Sequence, residues 1–371
     1  MQPRYTNLVL LATGLAVLSL AACSGETPEV DKESTPSAAS ASPAVTELSL
    51  LLFPDYLDEK TIRDFDEKNN ARLRMTIYDS SEEMESKLAY AGADSQYDVV
   101  VMATHMLPRM VRRGLVRELD HSQLPELKNL EPRFSGPSFD DGNKHGVPYL
   151  WGTLGIMYDK QKFPNLEQSW SVLFDPQKIV GTFEMVDEMR DMLGVVLKYK
   201  GFSTNTVAPE ELREAGRVLK EVKKHPKCLG FKSGVGATQD VKGGSVDMAV
   251  ACNGDARKVI SEDKDRLAFF MPKEGSVIWV DVMTIPPKAP HPELAYKFIN
   301  HILTPETGAQ LSLATRYASP NAAARAKLPP EERNNLLTYP PQEVSERLEY
   351  HRELGEGATN FDEVWTEVKS Q

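Results

Sequence analysis

TELSLLLFPDYLDEKTIRDFDEKN, residues 46–69, sets a run of apolar residues of strand length, a short loop and an amphipathic helix in immediate succession. Thr46 to Leu52 is nearly continuous in leucine, the pattern of a strand covered on both faces. The loop Phe53-Pro54-Asp55-Tyr56 breaks it, and from Asp58 to Asn69 the apolar Ile62 and Phe65 recur at helical spacing. The unit then repeats. Leu73, Met75 and Ile77 alternate with polar neighbours as a second strand, and Ser80-Ser81-Glu82-Glu83 offers a capping box for a helix carrying Met84 and Leu88. Tyr97 to Met102 reads as a third, buried strand, feeding a helix with Met106, Met110 and Val111 on one face that stops at Gly114. Farther on come a helix over Pro209–Lys224, strands over Val246–Ala251 and Val277–Ile285, and a helix over Pro292–Leu303. This alternation predicts an α/β fold, its sheet covered by helices on both faces, built as two such units joined by extended segments.

Residues 1–22 stand outside that fold. A short head with Arg4 precedes the apolar run Leu8 to Leu20, too short for a spanning helix, which ends in Leu20-Ala21-Ala22-Cys23. This is a signal peptide of the lipoprotein kind, with Cys23 as the residue to be acylated. Ser24 to Val45, rich in Ser, Pro, Ala, Thr and Glu, form a flexible tether. The remainder is long enough for two lobes. The expected division is 46–152 with 281–327 for the first, and 153–280 with 328–371 for the second. A net charge of −11 disfavours nucleic acid and anionic lipid as direct partners and suits a cationic ligand.

Cys228 and Cys252 remain once Cys23 is assigned to lipid. In an exported protein such a pair is either bridged or left as two separate thiols, and spacing alone decides neither. Metal-ligand clusters, phosphate loops, G-x-S-x-G and H-E-x-x-H are not found, so the sequence advertises no metal, cofactor or catalytic centre. Gly234-Val235-Gly236 lacks the third glycine of a dinucleotide site and reads as a loop. Trp151, Trp170 and Trp365 read as packing residues.

Ligands of open α/β sheets lie beyond the carboxyl ends of strands. There the sequence places Phe53 and Tyr56 after the first strand, Thr104 and His105 after the third, and Cys252, Asn253 and Asp255 after a later one. Trp279 and Asp281, two apart in one strand, share a face. Aromatic rings and carboxylates therefore converge.

Tyr78-Asp79-Ser80, Tyr97-Asp98-Val99-Val100-Val101, Val147-Pro148-Tyr149-Leu150-Trp151-Gly152, Pro272-Lys273-Glu274-Gly275, Trp279-Val280-Asp281 and Ala318-Ser319-Pro320-Asn321-Ala322-Ala323 occur in one order along the chain. Together they resemble the spermidine/putrescine-binding proteins among the bacterial extracellular solute-binding proteins, from about Leu48 onward. The resemblance implies a two-lobed periplasmic-binding-protein fold of type II with the ligand in the interlobe cleft, and a small polycation as ligand. It also implies an ABC permease in the inner membrane as partner, and no cofactor. Residue by residue, Tyr56, Trp279 and Tyr317 resemble the family's aromatic walls, Asp281 its main carboxylate, Glu188 and Asp191 its acidic pair at the far end, and Ser233 a hydroxyl contact. The chain departs from the pattern at four positions. Phe53 and Cys252 replace tryptophans, His105 replaces a tyrosine and His351 a glutamine. Carboxylates persist while the aromatic box thins.

If Cys23 carries the anchor, Cys23→Ala should move the protein from the membrane to the soluble fraction of cells. An unchanged membrane fraction would contradict that reading.

Overall fold

The computed structural model describes residues 45–91, 96–137 and 139–370; Cys23 and the leader lie outside them. In chain order the first unit is β1 (Thr46–Leu52), α1 (Glu59–Asn69), β2 (Ala71–Ile77), α2 (Ser81–Ala91), β3 (Val99–Ala103) and α3 (Leu107–Arg112). Asp58 starts α1 by accepting the Lys60 and Thr61 amides, and Asn70, with φ of 47°, ends it. The capping box opens α2 as the sequence implied, with Ser80 Oγ accepting from the Glu83 amide. β1 pairs in parallel with β2 and β3. Its leucines alternate between two separate apolar clusters, Leu48, Leu50 and Leu52 in one and Leu51 in the other, which is why the run needs no polar face.

After this unit comes the longest strand, β4 (Val147–Asp159), followed by α4 (Ser171–Phe174), β5 (Phe183–Val186), α5 (Met189–Tyr199) and α6 (Pro209–Lys223). The second unit closes with β6 (Cys228–Lys232), α7 (Gly234–Gly243), β7 (Met248–Cys252), α8 (Asn253–Ile260) and β8 (Leu267–Phe270). β9 (Ser276–Thr284), α9 (Pro292–Leu303) and the short β10 (Leu348–Tyr350) follow, and the helix Ala358–Ser370 ends the described chain. The strand order is β2-β1-β3-β9-β4-β7-β5-β6, with β10 on β9 and β8 on β4. β4 and β9 pair antiparallel and pass between the two units. The first half of β4 pairs with β9 and its second half with β7 and β8.

The structure adds one strand that the sequence reading did not assign, corrects one loop, and decides between the two states left open for the cysteines. β4 is one thirteen-residue strand, buried almost throughout. Pro148, Gly152 and Gly155 obscure its pattern, but the register shift between Pro148 and Trp151 absorbs the irregularity. The Gly234 to Gly236 segment is the first turn of α7, because Ser233 caps it, rather than a loop. The bridge between Cys228 and Cys252 is not formed; both are free thiols. Cys228 and Met248 lie on opposite sides of Phe183 in β5, and Cys252 is four residues beyond Met248. Two strand spacings combined with that axial offset put the Cα atoms on the order of 15 Å apart, against a limit of about 7 Å for a disulfide.

Where β4 meets β9, Gly152 is opposite Trp279. A Cβ there would lie 2.5 Å from Asn253 Oδ1 and 2.6 Å from the Trp279 ring. Gly152→Ala should therefore destabilise the fold by about 1–3 kcal/mol. A melting temperature equal to that of the wild type would show that the wall can yield.

Candidate functional site

The ends of β1, β3, β5 and β7 and the middle of β9 open onto one cavity, whose empty space, open solvent included, is about 810 Å³. Phe53, Tyr56, Thr104, His105, Glu188, Asp191, Ser233, Cys252, Trp279, Asp281, Tyr317 and His351 line it, whereas Asn253, placed beside Cys252 by the sequence, does not: its Oδ1 accepts the Thr153 amide and its Nδ2 donates to Leu337 O.

One end is aromatic. The β1–α1 loop turns at Asp55, whose φ is 59°, and presents Tyr56 inward. Tyr56 is held there by the Tyr149 hydroxyl, which donates to its carbonyl. The Tyr56 hydroxyl donates to Asp281 Oδ2 at 2.6 Å. Tyr317 packs edge-on against Trp279 at 4.9 Å and against Tyr56 at 5.9 Å. Tyr317 also rests on Gly254, where a Cβ would approach its ring to 2.3 Å, so the first turn of α8 must carry a glycine at this point. Phe53 completes the wall at 5.4 Å from Tyr56.

The other end is polar. Glu188 and Asp191 begin α5 directly after β5. His351, just past β10, places Nε2 2.9 Å from Asp191 Oδ1, and His105 packs edge-on to it at 5.5 Å. Glu188 Oε2 accepts the Ser81 amide of α2 at 3.0 Å.

Sequence reasoning did not carry Asp255 into the site, although it named it. It lies three residues beyond Cys252, in the first turn of the helix that follows β7, and it lines the cavity. The position rule that picked out Cys252 applies equally to it.

The electrostatics are one-sided. Burial pushes Asp281 up to about 7, with the Tyr56 hydrogen bond opposing and the Asp191 charge adding to the shift. Burial likewise raises Asp191 to about 7 against the pull of Arg190, and Asp255 to about 6 against the Tyr317 hydroxyl. Glu188 is driven well above the carboxylate range by burial, then by Glu82 and Asp191. No lysine or arginine is among the described residues that line the cavity. Arg190 points elsewhere, donating to Arg352 O and Asn205 Oδ1 and lying over the Phe361 ring. Burial, and then Arg190, hold His105 and His351 well below the histidine range. Buried carboxylates without a cation favour a ligand that supplies one.

The family profile described as bacterial extracellular solute-binding protein matches residues 60–336. The chain belongs to this family. It is 28% identical over 363 residues to the spermidine/putrescine-binding periplasmic protein 1 of Haemophilus influenzae, covering 97% of this chain and 98% of that relative. To the putrescine/agmatine-binding protein of Pseudomonas aeruginosa it is 31% identical, covering 82% of this chain and 86% of that one. A solved structure of a putative spermidine/putrescine ABC transporter protein from Listeria monocytogenes superposes with a TM-score of 0.80 at 32% identity, over 87% of this chain and 99% of that chain. The two-lobed fold with its ligand cleft is thus that of the solute-binding proteins.

The shifted groups predict a pH dependence. Asp281 and Asp191, near 7 when folded against 3.8 ordinarily, add stability that is full below about pH 4 and lost as pH rises through 7. His105 and His351 act oppositely, losing stability as pH falls below 6.5. From about pH 6.5 to roughly pH 8 the carboxylates dominate among these groups, so the melting temperature of the ligand-free protein should fall. Asp281→Asn should flatten the fall; an equally steep fall in that variant would contradict the assignment.

Proposed function

We propose that the chain captures a polyamine of the putrescine or spermidine kind and delivers it to the permease of an ABC importer. The protein acts by binding, without chemistry on the ligand, from an exported position held by the lipid on Cys23. The observation that carries this reading is the set of carboxylates Glu188, Asp191, Asp255 and Asp281, gathered in one cavity whose described lining offers no lysine or arginine. An alkyl polyammonium matches that surface. Its nitrogens need charge-assisted acceptors, and its polarised methylenes suit the faces of Tyr56, Trp279 and Tyr317. The names of the relatives point the same way.

Capture proceeds by lobe closure, with 46–152 and 281–327 on one side and 153–280 and 328–371 on the other. The antiparallel β4 and β9 are the segments on which the lobes would turn. The cavity draws on residues from both sides, so a ligand touching both favours the closed form by its differential contacts. Glu188, Asp191, Asp255 and Asp281 serve as the carboxylates, with Ser233, Thr104, Cys252, His105 and His351 completing the enclosure.

Asp281 is the residue on which affinity should depend most, being buried, central and already oriented by Tyr56. Asp281→Asn keeps the shape and removes the charge. It should weaken polyamine binding by about 2–4 kcal/mol, roughly thirtyfold to a thousandfold, in calorimetry on protein lacking the lipid. Unaltered affinity would remove Asp281 from the site, and a wild type that binds no polyamine would overturn the proposal itself.

A further inference from the structure

Glu188 occupies an unusual place for a residue expected to receive ammonium. It stands at the N-cap position of α5 yet makes no capping bond to its own helix. Its Oε2 instead accepts the amide of Ser81, the first residue of α2, which belongs to the other half of the sheet. The start of α2 shows what this contact supplies. Ser80 Oγ takes the Glu83 amide at 3.2 Å, and the Glu83 carboxylate takes the Asp79 amide at 2.8 Å. The local capping box thus serves its neighbours and leaves the Ser81 amide to be satisfied from elsewhere. Ser81 is 2% exposed. A helix end buried in this way needs an outside acceptor, and the one present comes from across the cleft.

We infer that Glu188 is a closure latch: its Oε2 caps α2 when the lobes meet, and so holds the closed state in addition to the part its carboxyl takes in receiving the ligand. This rests on the polyamine reading of the cleft. The charged side chains that face Glu188 are Glu82 on α2 and Asp191 and Arg190 on α5. Burial first, and then the two acidic neighbours, favour the neutral carboxyl, which still offers an oxygen to the Ser81 amide. A glutamine at this position offers the same oxygen, whereas an alanine offers none. A latch is a positioning residue, and its mark is kinetic: without it, the closed complex opens sooner.

The test compares Glu188→Gln with Glu188→Ala by stopped-flow release of spermidine, together with hydrogen exchange at the Ser81 amide. The latch predicts that Glu188→Ala releases ligand about tenfold faster than Glu188→Gln. It also predicts that spermidine slows Ser81 exchange in the wild type and in Glu188→Gln but not in Glu188→Ala. Equal acceleration in both variants would show that Glu188 acts only through its charge on the ligand and overturn the latch, as would release from Glu188→Ala at the wild-type rate. If the wild type binds no polyamine, the functional reading falls separately. The latch then stands on faster ligand-free Ser81 exchange in Glu188→Ala than in Glu188→Gln, and equal exchange overturns it.

Discussion

The antiparallel pairing of β4 with β9 is the constraint from which the rest of the molecule follows. Both strands are buried along nearly their whole length, and each changes partners part-way. β4 leaves β9 for β7 and β8, while β9 carries β10 on its first residues and β3 on its last. One continuous pair therefore joins the two halves of the sheet. Trp279 and Asp281 lie on this pair, as does Gly152, whose missing side chain makes room for the indole. Placing the central carboxylate on the most constrained strand, with a tyrosine hydroxyl 2.6 Å away, means that its orientation is set before any ligand arrives.

The cost of that arrangement is electrostatic. Four carboxyl groups share a cavity in which burial disfavours their charged forms, and the nearby guanidinium of Arg190 is committed to Arg352, Asn205 and Phe361. Burial therefore favours the protonated forms in the ligand-free cleft, and a cationic ligand would favour the charged ones. The aromatic end contributes differently. Tyr56, Tyr317, Trp279 and Phe53 support one another through ring contacts and form a wall whose shape does not depend on ionisation.

Much of this was legible in the sequence because the signals were local. The leucine run of β1, the Asp58 cap and the Ser80 to Glu83 capping box each encode their element within a few residues. The rule that strand ends carry ligands located Tyr56, His105 and Cys252, and family resemblance supplied Glu188, Asp191, Tyr317 and His351, whose positions no short-range pattern reveals. What escaped was non-local. β4 hides behind a proline and two glycines whose reasons lie in Asn253, Trp279 and Phe269, far along the chain. The separation of Cys228 from Cys252 depends on β5 inserting between their strands. The capping of α2 by Glu188 joins residues 107 apart and has no trace in either neighbourhood.

The two reduced cysteines bear on how the protein matures. Cys228 opens β6 and Cys252 closes β7, and neither has a sulfur partner. The described fold thus draws its cohesion from leucine-rich strands and aromatic packing rather than from covalent cross-links. Folding of the described residues therefore requires no oxidation of a cysteine pair. A shift in redox balance would find no disulfide in the described fold to reduce.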